Sequence, residues 1–253
     1  MTTDSTLIGR TALVTGSTSG LGAGIATALA AAGAHVVITG RTRDRGDQVV
    51  ARIESEGGRA TFIPVDFSAG ADAIAGLAAS ATEGVGGRLD ILVNNVATLI
   101  QPAPTADVTA EQITAAFGVS VVAPFLLTGL LAPAMVQRGD GAIVNIGSIA
   151  GLVGASGSAL YGATKASVHQ LTRAWAAEYG PSGVRVNTVA PGPIATDRSD
   201  EYAEAIAPVL ARLPSGRMSS VAEVAAAVVF LAGPDAANVH GSILSIDGGW
   251  AAI

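Results

Sequence analysis

The 253-residue chain contains no cysteine. That excludes disulfides, thiolate nucleophiles and every metal site built on sulfur, and it fits a reducing, cytoplasmic setting. Charge is scarce too: Asp, Glu, Lys and Arg together make up 13% of the residues, with a net charge of −6. Basic residues gather only at Arg41, Arg43 and Arg45. The continuous positive footprint that grips a phosphate backbone is missing, so no nucleic acid is expected as a partner. His35, His169 and His240 share no ligand spacing with one another or with carboxylates, so no metal site is expected. Lysine is scarcest of the charged residues: Lys165 stands alone, and the other thirteen of the fourteen basic residues are arginine. Arg is a planar, always-charged fork, whereas Lys is a compact ammonium whose pKa can be tuned. A chain that keeps one ammonium has a chemical use for it.

What is abundant is apolar and small: 49% hydrophobic residues and 32 glycines, against 4% aromatics. Short apolar runs at 11–15, 36–39, 61–65, 89–93, 142–146, 184–189 and 243–246 alternate with helical spacing at 21–32, 43–56, 71–83, 110–136, 159–179 and 221–231. Near-continuous apolar strands between helices predict an α/β fold, a doubly wound and mostly parallel seven-stranded sheet covered on both faces. No linker or repeat divides the chain, so one domain is expected across 1–253. The proline-punctuated, weakly periodic segment at about 192–220 is expected to form a substrate lid.

Two uncharged stretches, 112–137 and 141–161, are by length alone sufficient for membrane spans. Prolines, hydroxyl residues and Asn145 interrupt them, so both are expected to be core or subunit-interface segments, and no membrane is expected as a partner. Residues 1–8 lack both a cationic start and an apolar stretch, so no secretory leader is expected there.

The first strand runs into Gly16-Ser17-Thr18-Ser19-Gly20-Leu21-Gly22 and then an Ala-rich helix. A glycine turn at a helix N-terminus lets backbone N–H groups approach a pyrophosphate, and the helix dipole adds partial positive charge. Gly-x₃-Gly-x-Gly is a variant of the dinucleotide fingerprint. Gly16, Thr18, Ser19, Gly20, Leu21 and Gly22 are therefore candidate cofactor contacts. At the end of the second strand, an acidic residue would bond the ribose 2′-OH of NAD. This chain has Gly40 there, followed by Arg41, whose guanidinium suits a 2′-phosphate, and NADP(H) is expected over NAD(H). Asp66, ending the third strand, is a candidate for the adenine edge.

Tyr161 and Lys165 are four apart on a helix and share a face. A phenol titrates near pH 10, about three units too high for acid–base work at neutrality. A cation at about 4 Å and an effective dielectric near 20 contributes on the order of 4 kcal/mol at most, enough to poise it. Ser148, just past the strand 142–146, falls at the carboxyl edge of the sheet, where ligands of open α/β sheets bind. Its hydroxyl and the phenol together could hold a carbonyl oxygen.

In this order along the chain, the glycine turn, Ser148, Tyr161 and Lys165 resemble the short-chain dehydrogenase/reductase family, in its single-domain branch of about 250 residues. The resemblance extends over nearly the whole chain. It includes Asn94-Asn95-Val96-Ala97 at the family's NNAG, Asn187 to Pro191-Gly192 at its N-x₃-PG, and Ile246-Asp247-Gly248-Gly249 at its last strand. It implies that Tyr161 is the acid or base, that Lys165 lowers its pKa and binds the nicotinamide ribose, and that Ser148 holds the substrate oxygen. It further implies cofactor contacts from Asn94, Pro191, Gly192, Ile194 and Thr196, and a homotetramer. Two positions depart from the pattern: Ala97 replaces the last glycine of NNAG, and Ser120 stands where the family has a catalytic Asn that anchors a proton-relay water chain. The expected activity is NADP(H)-dependent hydride transfer between a ketone and a secondary alcohol. The alternatives are 3-oxoacyl-carrier-protein reduction and a catalytically silent cofactor binder. His169, one turn beyond Lys165, reads as a packing or interface residue, as do Trp175 and Tyr179; Arg138 reads as a solvated helix-end charge.

Overall fold

The computed structural model describes residues 6–196, 199 and 203–252, with 203–205 as backbone only. Seven parallel strands form one sheet in the order β3-β2-β1-β4-β5-β6-β9. They are β1 (Thr11–Val14), β2 (His35–Gly40), β3 (Arg59–Pro64), β4 (Ile91–Asn94), β5 (Gly141–Ile146), β6 (Val184–Pro191) and β9 (Ile243–Ile246). A separate pair, β7 (Ile194–Ala195) and β8 (Ser219–Ser220), ties the two ends of the 192–220 segment together.

The strand order reverses between β1 and β4, so their loops part at the carboxyl edge and leave a crevice there. Although the strands read as continuous apolar runs, their side chains alternate between two cores. Val14, Ile38, Val93 and Val144 face one side, packed by α1 (Gly20–Ala31), α2 (Arg43–Ser55) and α8 (Val221–Ala232). Leu13, Val37, Leu92 and Ile143 face the other, packed by α3 (Ala71–Gly84), α5 (Ala123–Arg138) and α6 (Ala159–Tyr179).

The same alternation and the parallel register line up three polar residues on the α5/α6 face, Asn94 beside Asn145 beside Thr188. Asn94 Nδ2 donates to Asn145 Oδ1 (2.9 Å) and Thr128 Oγ1 (3.3 Å), Asn145 Nδ2 donates to Thr172 Oγ1 (2.8 Å), and Thr172 bonds Thr188 (2.6 Å). All are buried, so this chain of bonds fixes α5 and α6 against the strand ends that carry the site.

The helix expected at 110–136 is not continuous. It is α4 (Ala110–Phe117), a π-helical turn (Gly118–Val122) and then α5. Pro124 has no N–H to give the carbonyl four residues back, that of Ser120, and the wider turn accommodates the gap. Together, Ala110–Arg138 is long and apolar enough to cross a membrane by length and composition alone. Leu127, Leu131, Ala132 and Met135 are buried in the core, while Val122, Phe125 and Leu130 are exposed. Arg138 is not the solvated charge expected, since it donates to the Leu89 carbonyl at 2.6 Å.

Candidate functional site

The glycine turn is built for close approach. Gly16 has φ +63, in the left-handed region, and a Cβ on Gly22 would collide with the Gly16 carbonyl and the Asn95 amide. α1 therefore starts directly on the turn. Its N-cap, Ser19, makes no side-chain capping bond, and the first turn holds no acidic residue. By contrast, α4 and α8 are both closed by capping boxes. The open N–H groups of Gly20, Leu21 and Gly22 are the donors an anionic group would take up. The residues present thus fit a dinucleotide pyrophosphate.

Bracing comes from residues that sequence reasoning passed over. The Thr15 hydroxyl accepts from the N–H groups of Asn95 (2.9 Å) and Val96 (3.0 Å). Asn95 Nδ2 donates to the carbonyls of Thr15 (2.8 Å) and Gly16 (3.0 Å). Ser17 Oγ donates to Val14 O (2.7 Å) and accepts from Thr39 N (2.9 Å), which joins the turn to β2. The cue was present, since Thr15 directly precedes the glycine turn and Asn95 lies in the Asn94–Ala97 motif, but the pairing across 80 residues is tertiary.

At the end of β2, a Cβ on Gly40 would lie 2.6 Å from Thr18 Cγ2 and 2.8 Å from its Oγ1. Thr18 fills the space an acidic side chain at this position would need. Arg41 is exposed beside it, near enough to Asp66 to help hold that carboxyl below its usual range, after the Ser68 hydrogen bonds that dominate. Asp66 is exposed and its Oδ1 accepts from Ser68 N (2.9 Å) and Ser68 Oγ (2.6 Å), so it caps a short 3₁₀ turn. Asn94 is buried in the polar chain described above, and its Oδ1 has no hydrogen-bond partner. Ala97, in the place of the motif's glycine, is exposed and has an ordinary negative φ, so its methyl group strains nothing in the chain.

The chemical end forms where β5 meets α6. Ile146 ends the strand, Ser148 caps a 3₁₀ turn (Ile149–Gly151), and α6 begins at Ala159. Glycines let these pieces touch: a Cβ on Gly162 would lie 2.8 Å from the Ala150 carbonyl. Tyr161, on the first turn of α6, therefore comes near Ser148, whose hydroxyl acts to lower the phenol's pKa. Lys165 is buried, and its Nζ donates to the Ile146 carbonyl at 2.8 Å and lies 5.8 Å from the Tyr161 ring centre. No carboxylate among the described residues pairs with it, and burial lowers its pKa to about 8. Burial raises the Tyr161 phenol, against a smaller lowering by the Ser148 bond. The ammonium makes one hydrogen bond among the described residues, so two of its three N–H donors remain for other partners.

Ser120, in the π-helical turn, is buried, and its Oγ accepts from Thr98 N at 3.2 Å. It ties the turn to the loop that follows β4. Pro191 and Gly192 close β6, and Gly192 comes against Asp247, whose Cα a Cβ would meet at 2.9 Å. Ile194 starts β7 and Thr196 N donates to Ser199 Oγ (2.6 Å). Arg217 forks onto Glu223 at 2.9 and 2.6 Å, which anchors the far end of the expected lid. Asp197, Asp200 and Glu201 of that lid lie outside the described residues.

A glycine-cradled, open helix N-terminus and a Ser-Tyr-Lys cluster face one sheet edge. The family model described as enoyl-(acyl carrier protein) reductase matches residues 16–251. The chain belongs to the short-chain dehydrogenase/reductase family. Among its relatives in the family, galactitol 2-dehydrogenase (L-tagatose-forming) of Cereibacter sphaeroides is 40% identical over 253 residues, covering 96% of each chain. Cyclopentanol dehydrogenase of a Comamonas species is 39% identical over 249 residues, 95% of this chain and 96% of the relative. A Beutenbergia cavernae structure named as an NAD(P) dependent gluconate 5-dehydrogenase, with bound NADP, superposes with TM-score 0.92 at 38% identity, covering 98% and 99% of the two chains.

Proposed function

We propose that this short-chain dehydrogenase/reductase is an NADP(H)-dependent oxidoreductase that interconverts neutral, apolar ketones and secondary alcohols. The observation that carries the reaction is the placement of Ser148 beside the Tyr161 phenol, with Lys165 buried one turn along the same helix. The cofactor, when bound along the glycine turn, supplies or accepts a hydride at its nicotinamide ring. In the reducing direction, Ser148 and Tyr161 hold the carbonyl oxygen, and Tyr161 gives it the phenolic proton as the carbon becomes an alcohol. Lys165 stabilises the phenolate left behind and uses its spare N–H donors on the ribose. Pro191, Gly192, Ile194 and Thr196 would hold the nicotinamide end of the cofactor. Ser120 holds the water that returns a proton toward Lys165. Replacing Ser120 with Ala removes that hydroxyl and the acceptor for Thr98 N; an unchanged rate and pH profile would end its relay role.

Cofactor choice rests on Thr18, which crowds any side chain at Gly40, and on Arg41, which offers a guanidinium to a 2′-phosphate. The substrate class rests on charge. No charged residue lies between Ile91 and Ala106, between Gly141 and Thr164, or between Val186 and Thr196, the three segments that reach the site edge. Leu99 (69% exposed) and Leu152 (42%) add apolar surface there. The cyclopentanol dehydrogenase relative supports this class, while the galactitol and gluconate enzymes leave a polar substrate as the competing reading.

The test is loss of NADPH absorbance with cyclopentanone, 5-ketogluconate and an acetoacetyl thioester. Cyclopentanone should give the highest kcat/KM, NADPH should exceed NADH at least tenfold, and Arg41→Ala should erase that preference. Turnover confined to ketogluconate or the thioester, or a tenfold preference for NADH, would refute the corresponding half of the proposal.

A further inference from the structure

Three polar residues on the buried face of α6, spaced by one turn or less, clasp the carboxyl end of β5. Lys165 Nζ holds the Ile146 carbonyl, His169 Nε2 accepts from Ser148 N at 3.5 Å, and Thr172 Oγ1 accepts from Asn145 Nδ2 at 2.8 Å. Lys165 has a place in the proposed chemistry and Thr172 belongs to the polar chain across the sheet. His169 has neither assignment, yet its imidazole is 2% exposed and sits directly behind the Ser148 turn.

The turn is shaped around that ring. A Cβ on Gly147 would collide with Nε2, and one on Gly151 would lie 2.7 Å from Cε1. The imidazole shares this crowding with Thr188 Cγ2 at Gly147 and with the α6 backbone at Gly151, so glycine at both places lets ring and helix come close. The bond to Ser148 N requires Nε2 to be an acceptor, so the proton is on Nδ1, which lies by the Gly151 backbone without a partner in good hydrogen-bond geometry. Burial first, then the charges of Lys165 and Arg173, lower the His169 pKa to about 4, which keeps the ring neutral. A buried ring with an orphaned N–H is a poor choice for stability alone, because an apolar side chain would fill the same space without that penalty.

We infer that His169 is a positioning residue: its Nε2 fixes the main chain at Ser148 so that the serine hydroxyl meets the Tyr161 phenol and the substrate oxygen. The inference rests on the role proposed above for Ser148.

The experiment compares His169→Leu, His169→Gln and Ser148→Ala in kcat, ketone KM, NADPH affinity by fluorescence and melting temperature. His169→Leu should lose at least tenfold in kcat with NADPH affinity unchanged within twofold and a melting temperature equal to or above wild type. His169→Gln, whose amide oxygen reaches the Nε2 position, should recover most of kcat. Wild-type kcat in His169→Leu, or kcat lost only in proportion to a lowered melting temperature, overturns the inference. If His169→Leu does not fold, His169→Asn replaces it: its amide is too short to reach Ser148 N, so kcat equal to that of the Gln variant overturns the inference. Should Ser148→Ala itself keep wild-type kcat, the reading of the site fails first, and the two failures are thereby distinguished.

Discussion

Lys165→Met is expected to abolish ketone reduction and, at the same time, to raise the melting temperature of the cofactor-free protein. The two effects have one origin. Burial lowers the ammonium from its usual value of 10.5 to about 8, with no carboxylate among the described residues to offset it. Folding therefore disfavours the charged form. Below about pH 8 both folded and unfolded chains carry the proton, and the folded state bears the whole desolvation penalty. Between about pH 8 and 10.5 the unfolded chain binds more protons than the folded one, so stability rises with pH. The penalty at neutral pH is on the order of 3 kcal/mol. Methionine removes it, while the Ile146 carbonyl loses its donor at a cost of about 1 kcal/mol. The net gain corresponds to roughly 4–8 °C for a chain of this length. Differential scanning calorimetry of both proteins at pH 7 and pH 9.5 checks the sign. The wild type should gain stability at the higher pH and close part of the gap to the variant. A melting temperature below wild type at pH 7 would show that the lysine stabilises the fold, against this account.

Tyr161→Phe is expected to lower kcat by about 10²- to 10⁴-fold, the range that a positioned general acid supplies. The phenyl ring keeps its packing on α6 beside Lys165, whose Nζ lies 5.8 Å from the ring centre, so cofactor affinity and melting temperature should stay close to wild type. Only the phenolic hydroxyl, on which Ser148 acts, is removed. Stopped-flow reduction of the ketone with pre-bound NADPH separates this loss from any change in binding. A residual rate within fivefold of wild type would remove Tyr161 from the acid role. The pH profile of the wild type is informative as well. Burial raises the phenol, so the acid form persists across neutrality in the cofactor-free protein. Reduction should therefore stay level through neutral pH and fall only on the alkaline side.

The apolar strands, their helical intervals and the glycine turn were legible along the chain because periodicity and backbone freedom are local properties. The spacing of Tyr161 and Lys165 was legible for the same reason, as was the glycine at position 40. Four features were not, and each depends on residues distant in sequence. The break at Ser120 follows from Pro124, which gives no N–H to the Ser120 carbonyl, but the donor that holds the Ser120 hydroxyl, Thr98 N, comes from another loop. Arg138 reads as solvated until the Leu89 carbonyl is placed beside it. Asn95 and Thr15 become a brace only when β4 lies next to β1. His169 has no meaning in sequence beyond its helical register; the imidazole acquires one when α6 packs against β5 and the ring fills the space two glycines leave. The sequence by itself thus determined the fold class, the family resemblance and the identity of the reacting groups. Tertiary structure alone decided that the ammonium is buried against the Ile146 carbonyl, what holds the serine turn and what crowds a side chain at Gly40, since these are contacts between elements that local rules do not set.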